Sequence, residues 1–260
     1  MNAGKSILFA VVLLLAGCGG GGADDDISAP AGTPAADADI SLLFMGNSHT
    51  AANDLTGMVL EMVRAAQSGK TVAAVRSPGS MFLEDRIDHE PSITLQRSQD
   101  WSFVILQAQK YSSSGQFEYS TAEAVELVRM AREQKAVPIL FPEWPRKDVN
   151  ETQRIYDLHV SIAQQEPACV APIGQAWDLA LERDPTLILY AQDGNHSAPA
   201  GAFLTALILF ATITGAAPQD LPVLSQFAVE QETQALLRTV AHDTVQAWPP
   251  RTWCPELAAQ

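Results

Sequence analysis

The stretch ISLLFMGNSHT, residues 40–50, decides the fold. Its first six residues are apolar except for Ser41 and run without alternation into a small polar cluster, Gly46-Asn47-Ser48-His49-Thr50. Successive side chains on a strand point to opposite faces, so an unbroken apolar run suits a strand buried on both sides. In open α/β folds such a strand delivers whatever follows it to the carboxyl edge of a parallel sheet, where ligands bind. Four more runs of this kind lie at residues 72–75, 103–106, 137–141 and 169–173, with helix-length segments between them. This alternation predicts a five-stranded parallel sheet in a three-layer α/β/α sandwich.

The segments between the runs carry helical periodicity. Asn53 or Asp54 is the expected cap of a helix in which Leu55, Met58, Val59, Met62 and Val63 recur at three and four and face the sheet. Further helices are predicted at about residues 120–134, 151–165 and 173–183, the last stopped by Asp184-Pro185. A final helix over roughly residues 230–248 turns Leu236, Leu237, Val240 and Val245 inward and ends at Pro249-Pro250. Residues 198–214 carry no charge and are apolar on every face. Their strongly apolar part, Phe203 to Ile213, is shorter than the roughly 20 residues needed to span a bilayer, and Pro199, Gly201 and Gly215 bracket it. A helix buried inside the sandwich is the expectation.

Outward from this domain, the first 17 residues read as a signal peptide: Lys5, then an apolar stretch about half as long as a membrane span. It ends in Leu15-Ala16-Gly17-Cys18, which resembles the bacterial lipobox. That resemblance implies lipidation of Cys18 and a stable membrane anchor. Gly19, where an Asp would signal retention, is similar to lipoproteins sent to an outer membrane, so the expected location is extracytoplasmic, facing the periplasm or the cell surface. Residues 18–38 are Gly, Ala, Asp and Pro with little large apolar surface and read as a flexible tether, Asp24-Asp25-Asp26 included as solvated spacer. Residues 39–260 form one domain, expected to be a monomer. The formal net charge of −14 disfavours nucleic acid as a partner. Beyond Cys18 there are only Cys169 and Cys254, which either pair or remain separate buried thiols.

Two clusters carry chemistry. Ser48 at the end of the first strand is a candidate nucleophile, although Gly-Asn-Ser is also ordinary turn chemistry. Asp193-Gly194-Asn195-His196 precedes the buried helix. At i and i+3 the carboxylate can hold one imidazole nitrogen and leave the other free to take a proton from a serine hydroxyl. A capping or hydrogen-bonded histidine is the bland alternative. No Gly-x-Ser-x-Gly elbow, His-Glu-x-x-His or Cys-x-x-Cys occurs, and no metal or cofactor is expected. His89-Glu90-Pro91 reads as a surface loop, and His159 and His242 as helical residues that face solvent or pack. Asn47, His49 and Trp144 are candidates for the substrate pocket, Trp144 equally for a packed loop aromatic.

A strand ending in Gly-Asn-Ser and a downstream Asp-x-x-His together resemble the first and fifth blocks of the SGNH/GDSL hydrolases, over residues 40 to about 218. The likeness is closest to extracytoplasmic members whose third strand ends in Leu-Gln-x-Gln, here Leu106-Gln107-Ala108-Gln109. It implies a flavodoxin-like topology and a serine esterase or deacetylase acting on a small-molecule or glycan ester. Ser48, His196 and Asp193 then form the triad, and Gly79 in Ser77-Pro78-Gly79-Ser80 supplies an oxyanion N–H. The family's side-chain donor is an Asn. This chain has none there, and Gln109, or else Gln107, takes its position. That departure leaves open an alternative, a lipid-anchored binding protein with little or no turnover.

Overall fold

The computed structural model describes Met1 and residues 35–257. The signal segment, Cys18 and most of the tether lie outside the described residues. The chain runs β1 (Ile40–Met45), α1 (Ser48–Ala51), α2 (Leu55–Ala66), β2 (Val72–Arg76), α3 (Leu83–Arg86), α4 (Glu90–Arg97), β3 (Phe103–Gln107), α5 (Ala122–Glu133), β4 (Val137–Phe141), α6 (Thr152–Gln165), β5 (Cys169–Val170), α7 (Ile173–Arg183), α8 (Pro199–Thr214) and α9 (Gln231–Ala247). The five strands pair in parallel in the order β2-β1-β3-β4-β5, the flavodoxin-like order.

Two apolar clusters show why the strand runs do not alternate. Leu42 and Phe44 of β1 face one layer, with α2, α7, α8 and α9; Leu43 and Met45 face the other, with α3, α4, α5 and α6. The three-layer sandwich follows. α8 is the centre of its layer: Phe203, Leu204, Leu207, Ile208, Leu209 and Phe210 are all at most 1 % exposed, each such side chain contributing about 1.5–3 kcal/mol of burial. Among the described residues no helix is long and apolar enough to cross a membrane. Gly215 ends α8 in the left-handed region, at φ 72°.

Two local readings change and a third, open between two residues, is decided. β5 is two residues long, because Pro172 lacks an N–H for a ladder and the chain turns into α7 at Ile173. His89-Glu90-Pro91 is no loop: His89 precedes α4, and Pro91 sits in the first turn, where a missing N–H costs nothing. Asp54, not Asn53, caps α2, accepting from the Gly57 N–H at 3.2 Å. Cys169 and Cys254 are joined by a disulfide, which ties β5 to the turn after α9.

Candidate active site

β1 lies between β2 and β3, so the strand order reverses at its carboxyl end, where an open α/β sheet leaves a crevice. Gly46 makes the exit: a Cβ there would sit 2.1 Å from Thr50 Oγ1 and 2.5 Å from Gln107 Oε1. Asn47 then caps α1, its Oδ1 accepting from the His49 N–H at 3.0 Å. This turn leaves Ser48 exposed while His49 and Thr50 point inward.

The base arrives from 148 residues downstream. Tyr190 and Ser197 bridge antiparallel, and Gly194, at φ 66°, closes the loop between them. Asp193 Oδ1 accepts from the N–H groups of Asn195 at 2.9 Å and His196 at 3.0 Å, and its Oδ2 lies 2.5 Å from His196 Nδ1. His196 Nε2 lies 2.8 Å from Ser48 Oγ. The Asp193 carboxyl is held well below the usual carboxylate range, first by the His196 ring and then by the two N–H groups. An ionised carboxylate can only accept, so the imidazole proton belongs on Nδ1 and the Nε2 lone pair faces the serine hydroxyl. Several bonds moor this loop to the body: Trp144 Nε1 donates to Asn195 O at 2.9 Å, the Lys147 N–H to Gly194 O at 2.9 Å, and Asn53 Nδ2 to Ser197 O at 2.7 Å.

His49 fills the space behind the base. It is 6 % exposed, stacks on His196 at 5.0 Å and 26°, and meets Trp144 at 5.0 Å and 58°. Burial, then the neighbouring His196 and Arg146, pushes its pKa down to about 4, so it stands as a neutral ring. Trp144 is the packed aromatic of the two readings, stacked on Trp177 at 4.3 Å and 2 % exposed.

Neither glutamine offers its amide to the cleft as an oxyanion donor, Gln109 because both its N–H groups are engaged and Gln107 because it is 0 % exposed, which corrects the expectation for both. Gln109 Nε2 donates to the carbonyls of Lys110 and Ser120, at 3.0 and 2.9 Å, and so orders the loop after β3. Gln107 Oε1 accepts from the Asn47 N–H at 2.8 Å and Thr50 Oγ1 at 2.9 Å, while its Nε2 donates to Glu143 Oε2 at 2.7 Å. Its work is to fix the turn that presents Ser48. The N–H groups of Ser48 and Gly79 have no acceptor among the described residues. Gly79 needs to be glycine: its φ is +77° and a Cβ would come 2.5 Å from Met81 Cε.

The serine opens on a cleft of about 760 Å³. Asn47, Ser48 and His49 form one side, Ser80, Met81 and Phe82 another, with Tyr111, Tyr119, Glu143, Arg146 and Asn195 around them. Glu143 had no place in the sequence reading, although a carboxylate two residues past a strand end is the kind of signal that could have found it. Burial pushes its pKa up to about 7, against the Gln107 amide that favours its charged form.

No protein-family model matches the chain, and no curated protein matches its sequence. Solved structures match its fold. A proposed SGNH hydrolase from Slackia heliotrinireducens is 22 % identical, with a TM-score of 0.53 over 66 % of this chain and 97 % of that one. A DUF4886 family protein from Bacteroides uniformis is 17 % identical, with a TM-score of 0.61 over 84 % of this chain and 98 % of that one. At such identities the likeness is one of fold: the α/β architecture of SGNH hydrolases, with five parallel strands and helices on both faces.

Proposed function

We propose that this chain is a serine hydrolase of carboxylic esters, with Ser48 as nucleophile, His196 as general base and Asp193 as the group that orients it. The observation that carries the proposal is the continuous chain from Asp193 Oδ2 through both nitrogens of His196 to Ser48 Oγ, at 2.5 and 2.8 Å. A serine hydroxyl is a weak nucleophile until such a base takes its proton. As Ser48 Oγ bonds to the ester carbonyl carbon, its proton passes to His196 Nε2, and the carbonyl oxygen becomes an oxyanion facing the N–H groups of Ser48 and Gly79. Collapse breaks the bond to the alcohol, which leaves with the proton from His196. Water, deprotonated by the same nitrogen, then releases the acid and restores Ser48.

Acylated glycans are the proposed substrates. Phe82 and Tyr119 line the cleft at 38 % and 44 % exposure beside the hydrogen-bonding groups of Asn47, Glu143 and Arg146, a mixture that suits a sugar's apolar face and hydroxyls. Lipidation at Cys18 would hold the domain at a membrane surface. The engagement of both glutamine amides favours a second reading, a binding protein that keeps the cleft but turns over little.

A fluorophosphonate probe with intact-mass readout tests the proposal. Wild type should gain one adduct, and Ser48→Ala and His196→Ala none. Folded wild type without adduct would sink the hydrolase reading and favour the binding protein.

A further inference from the structure

Beneath the loops that flank Ser48 lies a buried cation. Arg86, the last residue of α3, is 0 % exposed and pairs with no carboxylate among the described residues. All its partners are neutral oxygens. Nη1 donates to Ser77 Oγ and Pro78 O, both at 3.1 Å, and to Ser92 Oγ at 2.7 Å; Nη2 donates to Gly46 O at 2.6 Å and Gly79 O at 2.9 Å. Nε is buried without a partner. Burying a charge without a counter-ion costs several kcal/mol, and hydrogen bonds to dipoles recover only part of it. Burial accordingly lowers its pKa to about 10, which leaves it charged at neutral pH. A methionine or leucine would avoid that penalty only by leaving three carbonyls and two hydroxyls without this donor, so the use of the charge lies in what it holds.

Gly46 O belongs to the turn that presents Ser48, and Pro78 O and Gly79 O belong to the loop after β2. In a trans peptide the N–H points opposite to the C=O. Because Pro78 O points down to the guanidinium, the N–H of the same peptide, that of Gly79, points away from it. A cation on the carbonyl also polarises that peptide and strengthens its N–H as a donor. We propose that Arg86 is the positioning residue of the oxyanion site, acting through the Pro78–Gly79 peptide and through the field of an unpaired buried charge. This deepens the serine-hydrolase reading and rests on it. The role fits the absence of a side-chain donor, since Gln107 and Gln109 are both engaged. A neutral ester gains little from the charge, whereas the oxyanion gains much, so the effect belongs in kcat and not in KM.

The test neutralises the charge without removing the side chain. Ser92 Oγ touches Nη1, so Ser92→Asp sets a carboxylate against Arg86, and Ser92→Asn is its uncharged counterpart. In the full-length protein, kcat and KM for p-nitrophenyl acetate and the rate of fluorophosphonate labelling are measured for both, with Arg86→Lys and Arg86→Gln beside them. Expected is a roughly 10- to 100-fold lower kcat and labelling rate for Ser92→Asp than for Ser92→Asn at equal KM, below the 10²–10³ lost with an oxyanion donor itself. Arg86→Lys should retain more kcat than Arg86→Gln. Equal kcat in the two Ser92 variants, with wild type labelling normally, overturns the role of Arg86 and leaves the hydrolase reading standing. No labelling of wild type overturns both. Should the Arg86 variants not fold, the Ser92 pair decides.

Discussion

Glu143 lines the cleft, yet its ionisation works against the fold. Its folded pKa is raised to about 7, chiefly by burial, so the folded state holds the proton more tightly than the unfolded chain does. Stability from this group is therefore full at acid pH and is lost as pH rises from the ordinary carboxylate range through about 7. Glu143→Gln keeps an acceptor for the Gln107 amide and removes the charge. It should raise stability by about 1–3 kcal/mol at pH 8, one pKa unit being about 1.4 kcal/mol, and change little at pH 4. Thermal unfolding at the two pH values checks this, and an equal gain at both would refute it. Residues of this kind mark where the sequence stopped being readable. Asp193 and His196 were legible because their partnership is local, three residues apart within one turn, and Ser48 because a strand end announces it. The fates of Gln107 and Gln109 depend on Glu143 and on the carbonyls of Lys110 and Ser120, which only the folded chain brings close. Arg86 carries no sequence sign of burial, since a lone arginine reads as a solvated one.

Among the elements, α8 shows how closely this layer is fitted. A Cβ on Gly201 would lie 2.3 Å from Leu189 O and 2.6 Å from the Trp177 ring, so the first turn of α8 rests directly on the segment leading to His196. Gly201→Ala should cost about 1–3 kcal/mol by overpacking, read as a lower midpoint in chemical denaturation. It should also slow fluorophosphonate labelling, because the displaced turn follows His196 by only five residues. Elements with long apolar runs or clear periodicity, β1 through β4 and α5 to α9, were legible to within a residue or two, and α2 by its cap and its apolar face. α3 and α4 were not. They are short and bury few apolar side chains, Leu83 in one and Ile93 in the other, so no periodicity could emerge from them.

At the scale of the molecule, the disulfide closes the last part of the chain onto the sheet. Cys169 of β5 and Cys254 lie 85 residues apart in sequence with Cα atoms 4.8 Å apart, and the loop they close contains α7, α8, α9 and the base. Cys254→Ser should lower stability by about 2–5 kcal/mol, a loss that reductant would reproduce in wild type. An unchanged unfolding transition under reductant would refute it. The same span of chain governs when the chemistry can start. Ser48 is synthesised 148 residues before the histidine that activates it, and until β3, β4, β5 and the loop before α8 have all closed, its hydroxyl is an ordinary alcohol. On the proposed function, hydrolytic power is thus a property of the assembled fold alone: neither half of the chain carries it, and only their meeting arms the serine.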